Sequence, residues 1–533
     1  MGGVDHRLPI GRRALLAGAG AAMLLPGAAF AAPSSSRRPV AATRHGRVRG
    51  YEQDGIKVFK GVRYGADTGQ RRFMPPVRPE PWTGIREATE YGPASPQRNA
   101  GEPTSEDCLF LNVWTPALRD GRRRPVMVYF HGGAHASGSG SSPLYDGTRL
   151  CNRGDVVVVT VNHRLNIFGY GFFARFGGAD LADSGNVGNL DLILALQWVR
   201  ENIAEFGGDP SNVMIFGQSG GGAKVVTLMA MPIASGLFHR AATMSGQHVT
   251  MMGPRNATRR ARFVLDSLGI APDRIDLLRA APTQRLVEAL ELTDPVLGED
   301  KIIFWSVIDG RTTPSHPFYP TAPALSAHIP LIIGNTHDET RAFLGGDPEN
   351  HDLTWAELPG RLDEEMVVDI DRDLVIRRYR QLYPSYTPSE VFFAASTAGR
   401  SWRGHLIQAE ERAKIGAPAW MYQLDYFSPD EEGRRLRAFH SLDIALVFDN
   451  IAQPGSRTGT GPAAQAVADR MSDAFLSLAR TGDPNHAGAP HWPKYTLPER
   501  QTMIFDRESR VVADPRREER ELFATVPYVK PGT

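Results

Sequence analysis

Two cysteines, Cys108 and Cys151, are all that 533 residues supply, too few for a disulfide framework. An even count in an oxidising compartment permits one disulfide, but each sits beside apolar residues, and two buried free thiols are the favoured expectation. Neither lies in a catalytic motif, which argues against a cysteine nucleophile. No Cys/His spacing suits a metal, and no G-x-x-x-x-G-K-[ST] loop is present to cradle a phosphate. Neither sign of charge is in excess: 60 Lys and Arg stand against 59 Asp and Glu, a formal net of +1. No global field therefore favours nucleic acid or an acidic lipid surface, and neither is expected as a partner. The 54 glycines and 40 prolines are scattered, which points to many loops and excludes low-complexity sequence.

The N-terminus carries an apolar stretch from Ala14 to Phe30, preceded by Gly11-Arg12-Arg13 and ending at Ala29-Phe30-Ala31. Paired arginines before an Ala/Gly-rich run and a small-residue cleavage site predict a twin-arginine signal peptide over 1–31. The protein is then exported, to the periplasm or beyond. Pro26 and the small residues weigh against an uncleaved anchor, so no stable membrane anchoring is expected. A Pro/Ser linker over 32–40 follows, and 41–533 is expected to form a single domain.

Val126 to Phe130, Val156 to Val161 and Val213 to Phe216 are short, nearly continuous apolar runs, the mark of strands buried on both faces. Between the last two, Leu192, Ala195, Leu196, Val199 and Ile203 recur at helical spacing, and Gly207-Gly208 closes the segment. Strand, helix, strand at this spacing predicts a parallel sheet with right-handed crossovers. Later strands are expected at Pro330 to Ile333 and Ala419 to Gln423. A hairpin is expected from Arg47 to Tyr51 and Ile56 to Phe59 about Asp54-Gly55. The fold class is α/β. Regions 251–300 and 345–415 read as helical insertions over the sheet's C-terminal edge, where such sheets bind ligands. The charge cluster Asp514 to Glu521 reads as a solvated helix face.

The strand at Val213 runs into Gly217-Gln218-Ser219-Gly220-Gly221 and then a small-residue helical segment ending at Lys224. G-x-S-x-G between strand and helix is a nucleophile turn, with Ser219 raised above the sheet at the positive end of a helix. A serine nucleophile needs a base, an orienting acid and donors for the oxyanion. The strand Val126 to Phe130 leads directly into His131-Gly132-Gly133-Ala134-His135, whose glycines let backbone amides turn inward. The amides of Gly133, Ala134 and Gly220 are the expected oxyanion hole. Asp338 and Glu339 both lie just past a buried strand and on chemistry alone are nearly equal as acid. Among fifteen histidines, His440 stands out: it follows a charged loop, precedes the apolar Leu446-Val447-Phe448, and completes the chain order serine, acid, histidine.

These residues resemble the type B carboxylesterases, the α/β-hydrolase family that includes the cholinesterases. Glu106-Asp107-Cys108-Leu109-Phe110-Leu111-Asn112-Val113 is similar to the family's E-D-C-L-x-L-N-V signature. Asn162-His163-Arg164-Leu165, Gly185-Asn186-Val187-Gly188, Phe206-Gly207-Gly208-Asp209-Pro210, Val307-Ile308-Asp309-Gly310 and Gly482-Asp483-Pro484-Asn485 also match its patterns, as does the spacing of His440, Asp443, Val447 and Phe448. The resemblance implies an α/β-hydrolase fold: a mostly parallel sheet, helices on both faces, helical insertions over the active site. It implies Ser219 as nucleophile, His440 as base and Glu339, not Asp338, as acid, acting without cofactor or metal on small-molecule carboxylic esters. The same triad serves carbamates and activated amides. A non-catalytic binding module of this fold is disfavoured, because all three triad positions are filled.

Three departures stand out. Gln218 replaces the family's usual Glu before the nucleophile, which weakens any case for cationic substrates. Ser95 lies where relatives often place a cysteine paired with the one at Cys108, and the loop between them is too short for the aromatic choline-binding loop. His135 replaces an aromatic residue after the oxyanion glycines, either as a substrate contact or as a plain surface or loop histidine. Phe304 and Trp305 are expected to be core packing, or else an acyl-pocket wall.

Overall fold

The structure, a computed structural model, describes residues 38–298 and 301–529; the expected signal peptide and residues 32–37 of the expected linker lie outside the described residues. Among the described residues, fourteen strands form two sheets. Val40–Thr43 (β1), Gly46–Arg49 (β2) and Ile85–Glu87 (β5) make a small one. The large sheet contains Tyr51–Gln53 (β3), Ile56–Arg63 (β4), Phe110–Thr115 (β6), Arg124–Phe130 (β7), Val157–Val161 (β8), Gly208–Gln218 (β9), Arg240–Met244 (β10), Leu331–Thr336 (β11), Ala419–Leu424 (β12), Gln501–Phe505 (β13) and Arg510–Ala513 (β14). Its order is β14-β13-β12-β11-β10-β9-β7-β8-β6-β4-β3. The run from β8 to β13 is parallel throughout, and the strands at both ends are antiparallel.

Every residue of β7 and β8 is buried, which is why those segments read as nearly continuous apolar runs. Their side chains still alternate. Val126, Val128 and Phe130 join Val213 and Ile215 in one core, while Met127, Tyr129, Met214 and Phe216 join the other. Helix α1 (Val187–Asn202) covers the first face with Leu192, Ala195, Leu196 and Val199. Burying each of the larger side chains contributes about 1.5–3 kcal/mol before entropy is counted. A short tight turn follows α1, and Gly207, at φ +73°, ends it with its amide on the Ala204 carbonyl at 3.1 Å. On the opposite face lies the long helix Pro462–Thr481, whose Val467, Met471, Phe475 and Leu478 fill the second core.

Cys108 and Cys151 are free, buried, and in different cores. Burial pushes both thiols upward. The 251–300 region contains a helix over Pro254–Ser267 and two short ones; the 345–415 region is largely helical and ends in Arg403–Lys414. Among the described residues no helix is long and apolar enough to cross a membrane.

Two expectations are corrected. The hairpin is β3 with β4; Arg47 to Arg49 turn away into the small sheet at Gly50, where a Cβ would meet the Val58 carbonyl oxygen at 2.1 Å. The Asp514 to Glu521 cluster is a solvated face only in part: Arg517, Glu518 and Glu521 are exposed, but two of its carboxylates are buried. Glu519 is 2% exposed and accepts from Arg516 at 2.6 and 2.9 Å, from the Tyr383 hydroxyl at 2.6 Å, and from the Tyr379 hydroxyl. Asp514 is likewise buried, against Arg517 and Arg520.

Candidate active site

β7 is flanked by β8 on one side and β9 on the other, so consecutive crossovers leave in opposite directions and open a crevice at the strands' C-terminal ends. The loop after β7 and the turn after β9 meet there. Ser219 occupies that turn at φ +58°, ψ −124°, directly before α2 (Gly220–Met229). A non-glycine residue held this way costs on the order of 1–3 kcal/mol and persists only where its surroundings enforce it. Here the Ser219 amide donates to the Met244 carbonyl at 2.7 Å, and the Ser219 carbonyl accepts from Ala223 at 2.9 Å. Backbone packs on backbone around it: a Cβ on Gly221 would lie 1.9 Å from the Phe130 carbonyl oxygen.

Gly133 and Ala134 both adopt left-handed backbone, at φ +78° and +54°. The two are exposed at the crevice while His131 and Gly132 beneath them are buried.

Glu339 is fully buried. One carboxylate oxygen accepts from the Thr336 amide at 2.9 Å and the Ser245 hydroxyl at 2.7 Å; the other faces Nδ1 of His440. Burial alone would raise this carboxyl, but the adjoining His440 imidazole, its hydrogen bond and the Ser245 hydroxyl hold it below the usual glutamate value. Asp338 points elsewhere, to His337 at 3.1 Å and Arg341 at 3.5 Å. The His440 ring packs against that of Phe343 at 4.8 Å between centroids.

Nε2 of His440 lies 3.2 Å from the side-chain amide nitrogen of Gln218. With Nδ1–H donated to Glu339, Nε2 carries the lone pair and accepts from that amide. The structure thus brings Glu339 and His440 together and gives Nε2 Gln218, the residue next to Ser219, as its partner. Catalytic hydrogen bonds often tighten only when substrate is present.

Three contacts were not anticipated from sequence. The Gln218–His440 pairing joins residues 222 positions apart. Ser245 follows β10, whose alanine-rich sequence gave no strand signal. Lys224 lies beneath the loop after β7. His135 is 1% exposed, its Nε2 3.2 Å from the Ser306 hydroxyl and its ring edge-on to Tyr170; this excludes a surface histidine. Phe304 is core, whereas Trp305 is half-buried beside His135 and His248. Among the described residues no group of three or more His, Cys, Asp or Glu side chains is placed to hold a metal.

The motif residues outside the crevice brace it. Asn186 donates to the Val307 carbonyl at 2.8 Å and accepts from the Val307 amide at 3.0 Å, tying two motifs together. Arg164 and Asp191 form a buried, bidentate pair at 2.6 and 2.8 Å.

A profile of the Carboxylesterase family matches residues 37–523. The chain is 34% identical to the para-nitrobenzyl esterase of Bacillus subtilis over 90% of its own length and 98% of that protein's. It is 31% identical to the phenmedipham hydrolase of Pseudarthrobacter oxydans, over 89% and 97%. The crystal structure of the Geobacillus stearothermophilus carboxylesterase EST55 is similar with a TM-score of 0.81 at 40% identity, over 91% of this chain and 100% of that one.

Proposed function

The chain belongs to the carboxylesterase family and is a carboxylic ester hydrolase of the α/β-hydrolase fold, and from that premise we propose that Ser219, His440 and Glu339 carry out the reaction. His440 takes the proton of Ser219 as its hydroxyl attacks the ester carbonyl. The amides of Gly133, Ala134 and Gly220 receive the oxyanion. Collapse of the intermediate expels the alcohol, protonated by His440, and leaves an acyl-enzyme; water activated by His440 then releases the acid. Glu339 holds the ring in the Nδ1–H tautomer and stabilises its charged form.

The observation that carries this reading is the buried Glu339 carboxylate on His440 Nδ1, opposite Nε2, which faces the side-chain amide of Gln218, the residue before Ser219. Hydrolysis of a short-chain aryl ester by the mature protein, beside Ser219→Ala, tests it. Activity is lost in the variant with folding intact; equal activity in both would overturn the assignment.

We also propose that residues 41–533 act as one domain delivered across the membrane by the twin-arginine signal. Replacing Arg12 and Arg13 by Lys should retain the protein, uncleaved, in the cytoplasm. Processing at Ala31 despite that change would contradict this route.

A further inference from the structure

Lys224 is the one member of the stretch Gly217 to Lys224 with a side chain able to ionise, and the proposed triad leaves it without a role. It lies on α2, wholly buried. Among the described residues no carboxylate pairs with it, and burial holds its ammonium down to about 7. A buried cation without a counter-ion is costly, and such groups concentrate at functional sites.

Its Nζ donates to the carbonyls of His131 at 3.2 Å and Ala134 at 2.9 Å, the two ends of the turn that carries Gly132 and Gly133. The other carbonyls of this loop are also engaged. That of Gly132 faces His131 Nδ1 at 3.0 Å. That of Gly133 accepts from Ala136 and Ser137 at 3.1 and 3.0 Å, and that of His135 from Asn166 at 2.6 Å. Every acceptor of the loop is thereby turned into the protein, while among the described residues no protein acceptor takes the amides of Gly133 and Ala134.

Gly220 belongs to the same arrangement. A Cβ at that position would lie 1.9 Å from the Ala134 carbonyl oxygen and 2.4 Å from its carbon. Lys224 attracts this carbonyl, and Gly220 leaves it room.

We propose that Lys224 is a positioning residue for the oxyanion-binding loop: it clamps the carbonyls of His131 and Ala134 so that the amides of Gly133 and Ala134 face the oxyanion. The clamp rests on the Ser219–His440–Glu339 reading, since it serves an oxyanion formed by attack of that serine. It acts on the transition state more than on the bound ester, because an oxyanion gains far more from aligned donors than a neutral carbonyl does.

The test compares Lys224→Met, Gly220→Ala and the double variant, using a short-chain aryl ester and an aryl trifluoromethyl ketone, whose serine adduct bears an oxyanion. Lys224→Met keeps the length of the side chain and removes its donors. Its kcat falls about 10²-fold with KM changed less than about threefold. Its affinity for the ketone falls by the factor lost in kcat/KM. Gly220→Ala, which pushes the Ala134 carbonyl off Lys224, gives the same paired losses, and the double variant is no worse than the poorer single one.

A Lys224→Met enzyme with wild-type kcat overturns the proposal. So does a loss of kcat without the matching loss of ketone affinity, or losses that multiply in the double variant. If Lys224→Met does not fold, Lys224→Gln, which shortens the reach of the donor to the two carbonyls, decides by the match between the losses in kcat/KM and ketone affinity. Ser219→Ala, run alongside, separates the two readings. Its inactivity beside an unimpaired Lys224→Met removes only the clamp; its retained activity removes the triad itself.

Discussion

The side-chain amide of Gln218 sits 3.2 Å from Nε2 of His440, on the ring nitrogen opposite the one that faces Glu339. The proposed base is therefore held from both ends, by a carboxylate and by a neutral amide.

Placing a carboxylate at Gln218 changes that balance. In Gln218→Glu a negative charge beside the ring favours the imidazolium, which cannot accept the serine proton. The acid limb of kcat/KM then moves to higher pH by about 1–2 units, with the plateau at higher pH much less affected. A pH–rate profile of both enzymes checks this; coincident acid limbs would show that Gln218 does not face the ring during turnover.

Asp338 and Glu339 are neighbours in sequence with different partners in space. Glu339→Gln lowers kcat on the order of 10³-fold, because the ring loses the acceptor that sets its tautomer. Asp338→Asn costs less than about tenfold, since its partners are His337 and Arg341. Steady-state kinetics of the two variants decide it, and the reverse ranking would reassign the acid.

His405 is fully buried, and burial pulls it down to about 4, against an opposing contribution from Glu339. Its folded value thus lies below the ordinary 6.5. Above pH 6.5 it is neutral in both states; as pH falls from there toward about 4 the unfolded chain takes up a proton that the folded one resists. Wild-type stability, relative to His405→Leu, should fall by about 1.4 kcal/mol per pH unit across that window. Urea unfolding at pH 7.5, 6 and 5 measures the difference; a pH-independent difference would contradict the buried neutral ring. Burial and Lys224 lower His131 to about 3 and His163 well below its ordinary value, with the same sign.

Glu519 anchors the C-terminal charge cluster. Glu519→Ala strands the Arg516 guanidinium, whose side chain is 7% exposed, and the hydroxyls of Tyr379 and Tyr383, a loss of about 3–5 kcal/mol. Denaturant unfolding should show it, with kcat at 25 °C unchanged below the transition. An undiminished midpoint would mean that the cluster is solvated after all.

The sheet's centre was readable because strands buried on both faces are nearly all apolar, as Val126 to Phe130 and, apart from Thr160, Val157 to Val161 are. The strand Arg240–Met244 was not, since its alanines and threonine carry no β signal apart from the neighbours they pack on. The turn at Ser219 announced itself through glycines that admit no side chain. The choice between Asp338 and Glu339 could not come from chemistry alone, because a single step along the turn after Thr336 decides which carboxylate meets His440. Charge misled at the Asp514 to Glu521 cluster. Glu519 is buried because Arg516, three residues before it, and the hydroxyls of Tyr379 and Tyr383, about 140 positions before it, converge on its carboxylate.

The most direct test of the central claim is mass spectrometry of the mature enzyme after inactivation by an aryl phosphonate ester, which captures an activated serine covalently. The account predicts one phosphonyl group per chain, on the peptide that contains Ser219, with labelling slowed in step with activity in Glu339→Gln. An adduct on any other residue, or complete inactivation with Ser219 unmodified, would contradict it.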